Sequence, residues 1–195
     1  MPKILPPPLL CREEHREAGC RCMYSYGKRT EFIETNAWFI LTKETASELA
    51  LFLKGMRVAD LGAGNGFLGA HMRALGVEHY HAYDNHRHGY YKKNHLHYGI
   101  RRKCAYRVKL ERYDAIVMTW PLYNDPFAYR MASRMKRGQV LIYQGESKGG
   151  CTGDDSFFDL LEHEFELLSE ITYQLEDNHI RWCGINDQWM VYKKR

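Results

Sequence analysis

The sequence has no apolar run approaching the length of a membrane-crossing helix, and no Gly-, Ser- or Pro-rich stretch long enough to act as a linker. The first absence excludes a helical membrane span, and the second suits one folded domain. Proline is scarce, and three of the six residues sit together at Pro6-Pro7-Pro8. That cluster is too short and too unlike a signal peptide to be one, so a cytoplasmic location is expected. Six cysteines, Cys11, Cys20, Cys22, Cys104, Cys151 and Cys183, lie scattered along the chain. Their spacing excludes the disulfide-dense class of small secreted domains and predicts free thiols. With 195 residues the chain can bury a substantial core without such staples. An excess of one charge is also lacking, since the net charge is only +4. The distribution is nevertheless uneven: Lys92-Lys93, Arg101-Arg102-Lys103, Arg107, Lys109 and Arg112 cluster, whereas acids gather between Asp154 and Glu176. The basic cluster reads either as a solvated surface or as a landing place, through Arg101, Arg102 and Lys103, for an anionic partner such as nucleic acid.

What is present is the stretch Val58-Ala59-Asp60-Leu61-Gly62-Ala63-Gly64-Asn65-Gly66, an apolar strand that ends in an acid and opens into three alternating glycines. Gly62 and Gly64 remove side chains where backbone must approach a ligand. A helix beginning near Gly66 offers unpaired N–H groups and the positive end of its dipole. A dinucleotide site wants Gly-x-Gly-x-x-Gly, which Gly69 completes only loosely. Asp60, before the first glycine, instead suits an ammonium group, which S-adenosylmethionine has and NAD lacks. A helix is predicted over Phe67 to Leu75, stopped by Gly76, with Glu78 to Asp84 as the next strand. Asp84 then lies about twenty residues past the glycines, where an acid can grip both ribose hydroxyls.

The seven residues Asp60 to Gly66 resemble motif I of the class I S-adenosylmethionine-dependent methyltransferases, written Asp/Glu-x-Gly-x-Gly-x-Gly, at every position. The resemblance covers about Thr30 to Arg195, a methyltransferase-like domain, and leaves 1–29 as an N-terminal appendage. It implies S-adenosyl-L-methionine as cofactor, held by Asp60, Gly62, Ala63, Gly64, Gly66, Asp84, Asn85 and Thr119. By the same resemblance a leading helix closes one wall of the pocket, which makes Trp38 and Thr42 candidates beside their simpler roles in packing and capping.

Along the chain, Thr42 is a predicted N-cap for a helix ended by Lys54-Gly55. Arg87 to Tyr98 reads as helix, Ala105 to Val108 as a short strand, Asp114 to Thr119 as a buried strand and Phe127 to Arg134 as helix. Gln139 to Tyr143 follows as strand, and Asp154-Asp155-Ser156 can cap a helix over Phe157 to Glu164. Phe165 to Tyr173 and Gln188 to Tyr192 read as a terminal, hairpin-like strand pair. Such alternation predicts an α/β, doubly wound, mostly parallel sheet, with ligands beyond the strand C-termini. The resemblance refines this to a seven-stranded, Rossmann-like methyltransferase fold whose last strand is antiparallel.

For chemistry, Thr119-Trp120-Pro121-Leu122-Tyr123 resembles the Asp/Asn-Pro-Pro-Tyr/Phe loop of amino-methylating enzymes, with Trp120 in place of the polar residue and Leu122 in place of the second proline. The resemblance implies that Trp120, Pro121 and Tyr123 position the acceptor, the Pro121 carbonyl and the Tyr123 ring above all. Glu146 is a candidate base, as are Asp154 and Asp155 beside the glycine-rich loop Gly149 to Gly153, which could close as a lid. No acid stands between Cys104 and Val108 to hold an adenine amino group. No metal site is expected. The pairs His86-x-His88 and His95-x-His97 share a side only in a strand, and Cys11, His15, Cys20 and Cys22 lack zinc-knuckle spacing. The expected function is methyl transfer to nucleic acid, a protein side chain or a small molecule. The alternative is a methyltransferase fold kept as a catalytically inactive binding or scaffold module.

Overall fold

Val58-Ala59-Asp60-Leu61 is buried along its whole length and forms β1 (Val58–Leu61), with a parallel strand paired on each side. A strand covered on both faces has no solvent side, which is why its sequence does not alternate. The computed structural model describes residues 30, 32–33, 36–87, 98–182 and 184–195. The elements around β1 are α1 (Lys43–Phe52), α2 (Phe67–Ala74), β2 (Tyr80–Asp84), β3 (Ile100–Arg102) and β4 (Ala115–Thr119). They continue with α3 (Phe127–Ser133), β5 (Val140–Glu146), α4 (Asp155–Glu164), β6 (Phe165–Leu167), α5 (Ser169–Asp177) and β7 (Asp187–Lys194).

The strands form one sheet in the order β3-β2-β1-β4-β5-β7-β6. β1 to β5 run parallel, and β7 lies antiparallel between β5 and β6. The doubly wound sheet with an antiparallel last strand is thus the architecture that forms. Chain direction reverses across the sheet between β1 and β4, which opens a crevice at their C-terminal ends.

Each face of the sheet carries its own core. On one, Leu49 and Leu53 at α1, Met72 of α2 and Leu175 of α5 pack with Trp189 and Val117. On the other, Met131 of α3 and Phe157 and Leu161 of α4 pack with Ile116 and Tyr143. Each such side chain contributes roughly 1.5–3 kcal/mol by leaving water. The predicted caps are formed: Thr42 Oγ1 accepts from the Thr45 N–H, and Asp154 accepts from that of Phe157.

Two predicted elements are corrected. Ala105 to Val108 is not a strand: Ala105–Arg107 is a 3-10 turn, followed by another at Leu110–Arg112, and the third strand is Ile100–Arg102. Ala105 and Val108 are buried three residues apart, the repeat of a 3-10 turn, whereas β3 is an exposed edge with no apolar alternation to betray it. The strand predicted over Phe165 to Tyr173 ends at Leu167 and gives way to α5, whose buried Ile171, Thr172 and Leu175 follow a helical repeat. β6 and β7 do pair, but across that helix rather than a tight turn. β5 also extends to Glu146, beyond the expected Tyr143, because it pairs with β7 over its whole length. The appendage 1–29 and most of the helix predicted over Arg87 to Tyr98 lie outside the described residues, together with His88, His95, His97 and Cys183.

Candidate active site

The glycine turn is held by its neighbours in the sheet. The Gly62 and Ala63 N–H groups donate to the Tyr83 carbonyl at 2.9 and 3.1 Å, and that of Gly64 donates to Asp84 Oδ2 at 3.1 Å. Asp84 Oδ1 accepts from the His86 N–H at 2.7 Å, so one carboxylate joins the turn after β1 to the turn after β2. Gly64 has φ of 59°, a left-handed conformation that favours glycine. At Gly66 the demand is spatial as well: φ is 83°, and a Cβ would meet the Tyr98 carbonyl oxygen at 2.8 Å. Gly66 therefore serves the approach of Tyr98 and Ile100 and is not on the cavity wall. The N–H of Phe67, first in α2, is taken by Asn65 Oδ1 at 3.0 Å.

Above this turn lies a cavity of about 400 Å³. Gly62, Ala63, Gly64, Asn65, Asp84, Asn85 and Arg87 supply its polar wall. Phe39, Leu61, Phe67, Leu68 and Phe127 supply an apolar one, with Cys104, Ala105 and Tyr106 facing in from beyond β3. Thr119, Trp120, Pro121 and Leu122 close the β4 end, joined by Trp38 and Asp125. The Trp38 and Trp120 rings stack, centroids 6.3 Å apart and planes at 24°. Trp120 has φ of 50°, a conformation that costs a bulky side chain roughly 1–2 kcal/mol. Its N–H donates to the Gln144 carbonyl at 2.7 Å, which holds the strained residue against β5.

Of the sequence-predicted cofactor residues, Gly62, Ala63, Gly64, Asp84, Asn85 and Thr119 are brought together on this cavity. Asp60 lies beneath the turn rather than on the wall, 1% exposed, with Oδ2 accepting from the Tyr80 hydroxyl at 3.0 Å and Oδ1 unpaired among the described residues. Burial pushes its carboxyl up to about 7, and the charge of Asp84 adds to that, while the Tyr80 hydrogen bond and Arg73 pull the other way.

At the β4 end the arrangement differs from the expectation in two ways. Tyr123 is 69% exposed and off the cavity wall, and the Pro121 carbonyl accepts from the Gly153 N–H at 3.2 Å. Glu146 is buried away from the cavity. Its Oε2 accepts from the Cys151 N–H at 2.7 Å and its Oε1 from that of Asn186 at 2.8 Å. Asp154 is the cap of α4, and Thr42 caps α1 off the wall. Sequence reasoning missed Asp125, which joins Asp84 as the second carboxylate among the described wall residues. It also missed Phe127 and Tyr106, whose rings meet edge-on at 6.3 Å. The signal for Asp125 was its place two residues before a helix, where its Oδ1 accepts from the Phe127 N–H at 2.8 Å.

No protein-family model matches the chain, and no curated protein matches it in sequence. Similar solved structures include a Thermoplasma acidophilum protein, 15% identical with a TM-score of 0.51 over 83% of this chain and 90% of that one. Another is the Bacillus subtilis m1A22 tRNA methyltransferase, 13% identical with a TM-score of 0.47, covering 80% of this chain and 68% of that one. A third is human N-acetylserotonin methyltransferase in complex with S-adenosylmethionine, 13% identical with a TM-score of 0.47, covering 95% and 63% respectively. Fold and site together define a Rossmann-like α/β protein with a ligand crevice at the C-terminal ends of β1, β2 and β4. More narrowly, it is a seven-stranded, doubly wound sheet in which β7 alone among the long strands runs antiparallel, the fold it shares with the Thermoplasma acidophilum protein.

Proposed function

We propose that this chain is an S-adenosylmethionine-dependent methyltransferase. The observation that carries the reading is the Gly62 to Gly66 turn, tied to Asp84 at the floor of a cavity whose far end is lined by Trp38, Trp120 and Asp125. The residues suit such a cofactor: Gly62 and Gly64 bring no side chain to the cradle, Asp60 Oδ1 is a buried oxygen with no partner among the described residues, and about 400 Å³ lies within the range of small-ligand sites. When bound, S-adenosylmethionine supplies a methyl group on a positively charged sulfur, which an aligned nucleophile can attack.

In this reading Gly62, Ala63 and Gly64 present backbone to the amino acid end, and Asp60 beneath them, held neutral by burial up to about pH 7, is the carboxyl that an ammonium there would ionise. Asp84 and Asn85 offer oxygens to the ribose hydroxyls. Cys104, Ala105 and Tyr106 flank the adenine, with backbone taking the place of the missing acid. Trp120, Pro121 and Leu122 hold the acceptor at the β4 end, and orientation alone supplies several kcal/mol of the barrier lowering. Asp125, rather than Glu146, is the carboxylate for an acceptor proton there, since Asp125 lines the cavity and Glu146 does not. Among acceptors, the cations after β3 favour nucleic acid.

Calorimetry with S-adenosylmethionine and S-adenosylhomocysteine tests the reading. Both should bind saturably, and Asp84→Ala should weaken each at least tenfold while leaving the fold intact by circular dichroism. Absence of binding at millimolar ligand removes the proposal. Binding without methyl transfer to broad pools of RNA, protein and metabolites selects the inactive scaffold instead.

A further inference from the structure

A second hollow, of about 770 Å³, runs along the sheet on the β3 side. It follows from the short connection between β3 and β4. Instead of a covering helix, the chain makes two 3-10 turns, and His79, His81 and Tyr83 of the β2 region line open space. Six cations stand around it: Arg57, Arg101, Lys103, Arg107, Lys109 and Arg112, with no carboxylate among the described lining residues. Asp114 chelates Arg57 through bonds of 2.8 and 3.1 Å, but among the described residues none of the other five forms an ion pair. The floor is polar. The Tyr83 and Tyr113 hydroxyls lie 2.6 Å apart, His81 Nδ1 lies 3.1 Å from the second, and Arg101 donates to the first at 3.3 Å.

Five uncompensated cations on one concave surface repel one another and create a potential that attracts anions. Burial, then the charges of Arg101, His79 and Arg73, hold His81 below its ordinary titration range. The cations do not converge on one point, as they would around a single phosphate. They come from just before β1, from β3 and the residue after it, and from the two 3-10 turns, and the lining run His79 to Tyr83 alone spans about 13 Å, enough for more than one phosphate of a strand. The hollow and the cavity above the glycine turn are neighbours. Tyr83 lines both, and the segment between them turns Lys103 and Arg107 to the hollow and Cys104, Ala105 and Tyr106 to the cavity. Of the three bases expected to bind an anion, Arg101 and Lys103 are on the wall and Arg102 is not.

We propose that this groove holds the phosphate backbone of a nucleic-acid strand and leads it to the rim of the cavity. That the strand is also the methyl acceptor rests on the methyl-transfer reading, but its binding does not.

Fluorescence anisotropy with a labelled oligouridine tests it. Binding should weaken as salt rises, with a log–log slope of about −2 or steeper, each phosphate contact adding about −0.7. Arg107→Glu/Lys109→Glu should weaken binding at least tenfold and flatten the slope by about 1.4. Lys54→Glu/Lys193→Glu, on other surfaces, should change it less than twofold. Arg107→Gln/Lys109→Gln should give an intermediate loss, which guards against a misfolded reversal variant. Unchanged affinity in the Arg107 and Lys109 variants overturns the proposal. So does full competition by inorganic tripolyphosphate at equal phosphate concentration, which would mark a small-anion site. Calorimetry with S-adenosylhomocysteine on the same samples separates the two readings: oligonucleotide binding without cofactor binding removes methyl transfer and leaves the groove, and the converse removes the groove.

Discussion

Asp60 and His71 are both buried and both shifted, in opposite directions, and their effects on stability oppose each other. Asp60 titrates at about 7 in the folded chain against an ordinary 3.8, so the folded state keeps a proton that the unfolded state has released. Stability from this group is present below about pH 4, falls as pH rises to about 7 and is then level. Burial lowers His71 from 6.5 to about 4, so in that window the unfolded state binds the extra proton, and stability falls as pH drops from about 6.5 to about 4. The slopes nearly cancel where the windows overlap. Asp60→Asn removes one arm, and its stability relative to the native chain should climb between pH 4 and 7 to on the order of 3 kcal/mol. Urea denaturation across that range checks this, and a gap independent of pH would refute it. A second contrast concerns glycine. Gly66→Ala sets a Cβ against the Tyr98 carbonyl in a left-handed backbone and should cost about 3 kcal/mol, whereas Gly76→Ala, at φ of 92° but in open space, should cost about 1 kcal/mol. Equal losses in denaturant would mean that φ alone matters at both sites.

At the scale of elements, α4 begins where Asp154 Oδ1 accepts from the Phe157 N–H at 3.0 Å, directly after the glycine loop. Asp154→Ala should cost about 1 kcal/mol in thermal denaturation, and Asp154→Asn much less. If Asp154 were instead a base, Asp154→Ala would abolish turnover with the melting temperature unchanged. Caps of this kind were legible because their chemistry is local: Thr42, Asp154 and the stop at Gly76 each act within a few residues. β1, β4 and β5 were legible because both faces of each are covered, so apolar runs mark them, whereas β2 was legible from its place between the stop at Gly76 and Asp84. β3 was not, since it is three residues long at a sheet edge with exposure that erases the pattern, and β6 was legible at its start, Phe165, but not at its end. The candidate site divides in the same way. Its glycine turn and Asp84 stand in one short signature, whereas the stacking of Trp38 on Trp120 joins residues from distant parts of the chain that only the fold brings together.

At the scale of the whole molecule, the β5 end is where the chain's separate pieces are tied. Gln144 pairs with Asp187, which also meets His179 at 3.1 Å, and the Gln144 carbonyl receives Trp120. Glu146 extends this tie outward: one oxygen holds the glycine loop at Cys151, and the other holds the turn before β7 at Asn186. The Gly153 N–H and carbonyl then reach the Pro121 carbonyl and the Asn124 N–H, so the loop after β4 is anchored through the same loop that Glu146 fixes. Removing the carboxylate strands two N–H donors, and Glu146→Ala should lose about 3 kcal/mol. Amide hydrogen exchange should accelerate at Cys151 and Asn186 first and at Asn124 next, because the anchoring runs in that order. Glu146→Gln keeps one acceptor oxygen and should fall between the two in both stability and exchange. A general base would behave otherwise, with Glu146→Gln losing turnover as fully as Glu146→Ala while exchange at all three amides stays slow.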